Sequence, residues 1–316
     1  MPKSSRADAT RGKPEPLIFS SEEYIAYRLE EGESPPVLAE RFLGNKSRSW
    51  IIEEANRGIS FEKDDMVIIP LKEENRGGLS TDGYQVVPVL CYHHLAEDCR
   101  SSLCTPVSLF ERQMRYLKEN GYRVIAMSEL LEFLNYQREL PEKAVVITID
   151  DGYRSAYDRA YPMLKKYGFV ATFFIYTDFV GRSDIAITWD QLKAMKADGF
   201  EIGSHTLTHC DLTKKEEGED VETYLAEVRR QLLLSKQIID KKLDQNTVYL
   251  AFPYGEYDHR ILNLCEQLGY EIGFSVKKGS NPFFSDPLTL RRNQILKKDM
   301  ESFVTKLKTF HDFPLR

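Results

Sequence analysis

From Val86 onward the chain repeats one theme: a short apolar run, a polar turn, then a longer stretch whose apolar residues recur at helical spacing. The apolar runs fall at 86–92, 144–149, 170–176, 200–203, 247–252 and 270–275. Helical patterns start at Ser108 and Thr188 and cover roughly 156–167, 221–243 and 258–268. Ser108-Leu109-Phe110-Glu111 and Thr188-Trp189-Asp190-Gln191 have the form of capping boxes, and Gly121 and Gly199 stand where those helices should stop. Such alternation predicts an α/β domain over 85–316, a mostly parallel sheet wrapped by helices. Residues 22–71 read differently, as strand, helix, helix, strand (a small βααβ module). Residues 1–21 show no periodicity and are expected to form a disordered arm, and the polar, glycine-containing stretch 72–84 a linker.

Composition narrows the class. The 316 residues, 42% of them hydrophobic, suffice for one large core and a small one. A net charge of −6 and a pI near 5.7 argue against nucleic acid as a partner. No run approaches the roughly 18 apolar residues of a membrane span, and the polar start lacks the apolar core of a signal peptide. The chain is therefore expected to stay inside the cell or to take its export signal from outside this sequence. Five cysteines (Cys91, Cys99, Cys104, Cys210, Cys265) form no paired C-x-x-C knuckles, and one bridge, Cys99 to Cys104, is compatible with their spacing.

Two segments carry chemistry. Val145-Val146-Ile147-Thr148-Ile149 reads as a strand buried on both faces, and it ends abruptly in Asp150-Asp151-Gly152. Catalytic groups of α/β barrels collect at such strand ends, where neighbouring carboxylates point apart and one can bind a metal while the other moves a proton. A solvated turn would look the same in isolation. The second segment, Ser204-His205-Thr206-Leu207-Thr208-His209, follows another short strand; on a helical turn, residues four apart share a face, so His205 and His209 can grip one ion. With only six histidines in the chain, the two imidazoles plus a carboxylate make a set suited to a catalytic divalent cation.

Thr148 to Gly152 and His205 to His209 resemble the first two motifs of the polysaccharide deacetylases (carbohydrate esterase family 4). The resemblance implies a distorted (β/α)7 barrel that removes acetyl groups from N-acetylglucosamine units of a glycan. It implies Asp150 as general base and Asp151, His205 and His209 as ligands of a metal, usually zinc. Phe252-Pro253-Tyr254-Gly255 resembles the third motif, in which the tyrosine N–H helps hold the oxyanion. Two departures stand out. Ala251 occupies the place of the family's arginine, for which Arg292 is the candidate replacement, and the late Leu-x-His motif is missing. Instead Val89-Leu90-Cys91-Tyr92-His93-His94 resembles the branch that includes poly-β-1,6-N-acetylglucosamine deacetylases, implying His93 as general acid, with His94 the competitor. Trp189 and Asp190 resemble pocket-shaping residues of the family, although an N-terminal helix cap explains Asp190 equally.

Gly32-Glu33-Ser34, Leu38-Ala39-Glu40-Arg41-Phe42, Ile52 to Asn56 and Val67 to Pro70 resemble, in order, the LysM module, which implies binding of N-acetylglucosamine polymers. Together the resemblances imply the cell envelope of a bacterium. A hydrolase of a small amide and a barrel that binds glycan without catalysis are the alternatives.

Overall fold

The computed structural model describes residues 16–72 and 75–313, and the chain divides into two compact units, Met1–Glu74 and Asn75–Arg316. Most of the arm expected at the N-terminus lies outside the described residues.

In the first unit, β1 (Leu17–Ser20), β2 (Tyr24–Arg28) and β3 (Met66–Pro70) form an antiparallel sheet in that order, with α1 (Pro35–Leu43) and α2 (Ser49–Ala55) between β2 and β3. By periodicity alone, residues 17–20 belong to the arm. They are a strand because their backbone pairs with β2, a bond that apolar periodicity does not report. Leu38, Ala39, Ile52, Val67 and Ile69 form the core. Asn56 closes α2 and stitches it to β3: its side-chain amide donates to the carbonyls of Ile52 (2.7 Å) and Ile68 (2.6 Å), and its oxygen accepts from the N–H of Ile68 (2.8 Å).

The second unit opens with two short strands, β4 (Leu79–Ser80) and β5 (Gly83–Gln85), which pair with each other and, through β5, with the last strand of the chain. The expected linker thus ends early. Asn75 clamps the N–H and C=O of Leu79 at 2.8 and 2.7 Å, so a polar stretch becomes an ordered sheet edge.

The main elements follow: β6 (Val87–Tyr92), β7 (His94–Ala96), β8 (Cys104–Pro106), α3 (Val107–Glu119), β9 (Arg123–Val124), α4 (Met127–Leu134), β10 (Ala144–Ile149), α5 (Tyr161–Tyr167), β11 (Thr172–Ile175), α6 (Trp189–Ala197), β12 (Glu201–Ser204), α7 (Val221–Leu243), β13 (Tyr249–Ala251), α8 (His259–Gln267), β14 (Ile272–Phe274), β15 (Ser280–Asn281), β16 (Asn293–Gln294), α9 (Met300–Val304) and β17 (Phe310–Asp312). The sheet runs β14-β13-β12-β11-β10-β6-β15, with β16 parallel to β6 and Leu290 bridging Phe274 in parallel. The segment from Leu290 to Gln294 therefore touches both β14 and β6 and curls the sheet toward closure. The result is a curled half-barrel of mixed α/β type, as the resemblance implied.

β6 and β10 are buried along their whole lengths, which is why their sequences are continuous apolar runs. Thr188 and Gln191 make the capping box expected of α6. Ser108 does not cap α3: that helix starts one residue earlier behind Pro106, whose ring presets the entry. Cys99 and Cys104 are disulfide-bonded, and among the described residues no helix is long and apolar enough to cross a membrane.

Gly273, in β14, has no room for a side chain, since a Cβ there would lie 2.4 Å from the backbone oxygen of Leu288. Backbone cannot swing away as a side-chain tip can. Gly273→Ala should destabilise the barrel by about 1–3 kcal/mol, read as a lowered midpoint in thermal or urea unfolding.

Candidate active site

The two carboxylates leave the C-terminal end of β10 in different directions because the backbone turns sharply there. Asp151 has φ 74° and Gly152 φ 73°. A Cβ on Gly152 would press against Ile175 at 3.2 Å, so position 152 needs glycine for both conformation and space. Left-handed backbone recurs around the site: Thr206 (φ 68°), His209 (φ 61°) and Tyr254 (φ 60°) share it. Conformations this unfavourable for non-glycine residues persist only where the surroundings over-determine them.

Asp150 is 1% exposed and meets Arg292, also 1% exposed. Arg292 Nη1 donates to Asp150 Oδ1 at 2.8 Å, and Nη2 lies 2.8 Å from Oδ2, so the guanidinium faces the carboxylate with both nitrogens. Arg292 reaches there from the position just before β16. Its Nε donates to the carbonyl of Ser275 (3.1 Å) and Nη1 also to Thr148 Oγ1 (3.3 Å), while its carbon lies 5.8 and 5.5 Å from the rings of Phe174 and Phe274. Burial alone would raise the Asp150 carboxyl. Arg292, and then the imidazoles of His205 and His93, outweigh burial and hold it below the usual carboxylate range.

Asp151 faces the histidines. Its Oδ1 lies 3.5 Å from His205 Nε2 and 3.4 Å from His209 Nε2. Burial raises this carboxyl too, but the two imidazoles overcome it and the net shift is downward. His205 Nδ1 is 2.7 Å from the carbonyl of Ala251, a bond that places the proton on Nδ1 and turns the Nε2 lone pair toward Asp151. Spacing alone predicts His205 and His209 on a helical turn. They sit instead on a loop, brought together by the left-handed turns at Thr206 and His209; the loop is fastened by His205 N–H to the Ile175 carbonyl (2.8 Å) and His209 N–H to Thr206 Oγ1 (3.1 Å).

Donor spacing tests whether a cation fits. Two ligand atoms about 2.0–2.1 Å from one tetrahedral ion stand roughly 3.3–3.4 Å apart. The Asp151 to histidine separations of 3.5 and 3.4 Å are close to that, and the three donor atoms lie within 4.8 Å of one another. Asp151, His205 and His209 can thus hold a divalent cation.

Of the two histidines after β6, His93 belongs to the site: its ring nitrogen, Cys91 Sγ and an Asp150 oxygen lie within 4.8 Å of one another. Burial lowers its pKa against the opposing pull of Asp150 and Asp151. His94 turns the other way, its Nδ1 3.0 Å from Ser155 Oγ, as strand alternation requires. Tyr254 is 59% exposed, its ring 5.0 Å from that of His209, and the preceding Pro253 is buried in a short 3-10 turn. Trp189 is placed elsewhere. It packs half-buried on the main hydrophobic cluster with Lys242 Nζ 6.0 Å from its ring, because the capped start of α6 turns it into the core.

Comparison with known proteins now decides the family. A family model described as polysaccharide deacetylase matches residues 137–273. YxkH of Bacillus subtilis (strain 168), assigned by name to the polysaccharide deacetylases, is 30% identical over 219 residues, 69% of this chain and 75% of that protein. The chain belongs to the polysaccharide deacetylase family. It is accordingly an amide-hydrolysing enzyme. A Staphylococcus aureus (strain MRSA252) poly-β-1,6-N-acetyl-D-glucosamine N-deacetylase is 28% identical over 65% of this chain and 72% of its own length. Among solved structures, the Streptococcus pyogenes deacetylase PplD in complex with acetate superposes with a TM-score of 0.64 at 27% identity, covering 71% of this chain and 98% of that one. IcaB from Ammonifex degensii superposes equally well, TM-score 0.64 at 26% identity, over 72% and 97%.

Two site features lay outside the sequence reading of this deacetylase. The Cys91 thiol, fully buried, stands 3.5 Å from Asp150 Oδ2, and the Ala251 carbonyl orients His205 whatever side chain position 251 carries. Only a strand register could have revealed either.

Arg292→Ala would leave Asp150 buried and uncompensated, so a loss of about 3–5 kcal/mol is expected at pH 7. Because the folded-state pKa of Asp150 is depressed, the pair's contribution is present above the unfolded value near 3.9 and is lost as pH falls through the folded one. The deficit of the variant should therefore persist to about pH 4 and shrink only below it, as denaturant unfolding at pH 7, about pH 4 and about pH 2 would show.

Proposed function

We propose that this deacetylase removes acetyl groups from N-acetylglucosamine units of a bacterial cell-envelope polysaccharide, releasing acetate and leaving glucosamine. The observation that carries this reading is the division of labour between adjacent carboxylates: Asp151 faces two imidazoles at 3.5 and 3.4 Å, while Asp150 is held by an arginine. The name of the Staphylococcus aureus relative supports the substrate class.

Asp151, His205 and His209 would hold the ion, zinc by the match of two imidazoles and a carboxylate to its preferred donors. Bound there, it supplies Lewis-acid polarisation of the acetamide carbonyl and acidifies water to a pKa near 7. Asp150, kept ionised by Arg292, takes the proton from the attacking water. Arg292 also fixes the carboxylate's orientation, so the acceptor oxygen does not wander between turnovers. The backbone N–H of Tyr254 donates to the oxyanion. His93, in the cluster with Asp150, protonates the departing nitrogen, without which an amine anion would have to leave.

The Cys99–Cys104 disulfide supports a site of action in an oxidising compartment, outside the cytosol. For the first unit, LysM-like recognition of N-acetylglucosamine polymers is supported by the order of its motifs and by Asn56 closing α2 onto β3. It would tether the enzyme to its polymer.

Acetate release from β-1,6- and β-1,4-linked N-acetylglucosamine oligomers and from peptidoglycan tests the proposal. Activity should vanish on chelation and return with zinc, and Asp150→Asn should lower kcat by about 10²–10⁴. Activity that survives chelation would sink it. The two histidines separate in the same assay: His93→Ala should cost about 10²-fold or more in kcat, whereas His94→Ala should leave kcat within a few-fold. The reverse order would transfer the acid role to His94.

A further inference from the structure

One flank of the site is built almost entirely of aromatic rings in sequence. The Tyr254 ring centroid is 5.0 Å from that of His209, His209 is 5.3 Å from Tyr176, Tyr176 is stacked on Phe179 at 5.0 Å with an interplanar angle of 14°, and Phe179 meets Tyr153 edge-on at 5.7 Å. These residues follow four neighbouring strands, β13, β12, β11 and β10, so the arc tracks the rim of the barrel past Asp151 and His209. A separate cavity of about 560 Å³, which Arg292 also lines, has no such aromatic wall and carries charges of both signs, Lys278, Lys297 and Lys306 with Asp299 and Glu301.

Core packing does not account for the arc. Tyr153, Tyr176 and Phe179 are only half-buried, and none of them joins the hydrophobic clusters of the barrel. No hydrogen bond to either tyrosine hydroxyl is made among the described residues. Tyrosine combines a rigid apolar face with a polar tip. A pyranose needs both: its axial C–H face is apolar, and its equatorial hydroxyls seek hydrogen-bond partners. Phe179 lies against one face of Tyr176 and so fixes its plane, and the His209 ring closes the side toward the metal donors, while the tyrosine keeps part of its surface exposed.

We infer that Tyr176, seated on Phe179 between His209 and Tyr153, is the wall on which the substrate's pyranose ring packs, and is a specificity-determining residue of this deacetylase. The inference rests on the proposed glycan substrate. Position 176 follows β11, a strand that contributes neither base, acid nor metal donor, so its part is to hold the sugar.

The test is steady-state acetate release by the full zinc-loaded chain from an N-acetylglucosamine pentamer, comparing wild type with Tyr176→Phe and Tyr176→Ala. Tyr176→Ala should raise KM about tenfold with kcat within about twofold, and Tyr176→Phe, which keeps the ring, should recover most of that loss. Matching thermal midpoints and zinc stoichiometry would show that the variants fold. An unchanged KM in Tyr176→Ala, or a loss confined to kcat, overturns the inference. Should the wild type release no acetate, the proposed function fails separately, and calorimetry with the same pentamer reads the wall directly. Weaker or lost binding in Tyr176→Ala then supports it, and equal binding, or none by the wild type, overturns it.

Discussion

The barrel closes around a buried ion pair. Arg292 enters from the strand segment that spans the seam between β14 and β6, and it meets Asp150 at the end of β10, both side chains sealed from water. Neither charge is tolerable there alone, since removing a buried partner leaves an uncompensated ion. The guanidinium also donates to the Ser275 carbonyl just after β14 and lies beside two phenylalanine rings, so seam, sheet and carboxylate are held by one side chain. Closing the fold and keeping the proposed base ionised are therefore a single constraint. That linkage explains how the family's usual arginine can be absent from position 251 without loss of the interaction.

The remaining site geometry is a matter of backbone. Asp151, Thr206, His209 and Tyr254 all occupy left-handed conformations that L-residues avoid. Each redirects a side chain or an N–H that a regular strand end or helix would have pointed elsewhere. The strain is held by ordinary bonds: the His205 N–H to Ile175, the Thr206 hydroxyl to His209, and the Ile187 N–H to the Gly152 carbonyl at 2.9 Å. The candidate cation donors are set by the scaffold in this way, with Asp151 already at a spacing from each imidazole that suits a tetrahedral ion.

Much of this was legible in the residues themselves. The continuous apolar run 145–149 ending in two aspartates announced a buried parallel strand with chemistry at its tip, because a strand covered on both faces has no polar alternation to confuse with a helix. Thr188 and Gln191 announced a cap because a capping box is a local, four-residue interaction. The H-x-x-x-H spacing picked two imidazoles that do come together, but for the wrong reason, since a loop with two left-handed turns brings them together as well as a helical turn would.

What the sequence determined by itself was local: the alternation of strands and helices, the carboxylate pair, the imidazole pair and the disulfide spacing, each fixed by interactions among near neighbours. Only the tertiary structure decided that Arg292 reaches Asp150 across 142 positions of chain, that His93 and not His94 faces the carboxylate, that Trp189 turns into the core, and that tyrosines from separate strands meet in one arc. These depend on strand register and on how the sheet curls shut. Register is set by pairing between segments far apart in sequence, and periodicity within any one segment carries no record of its partner.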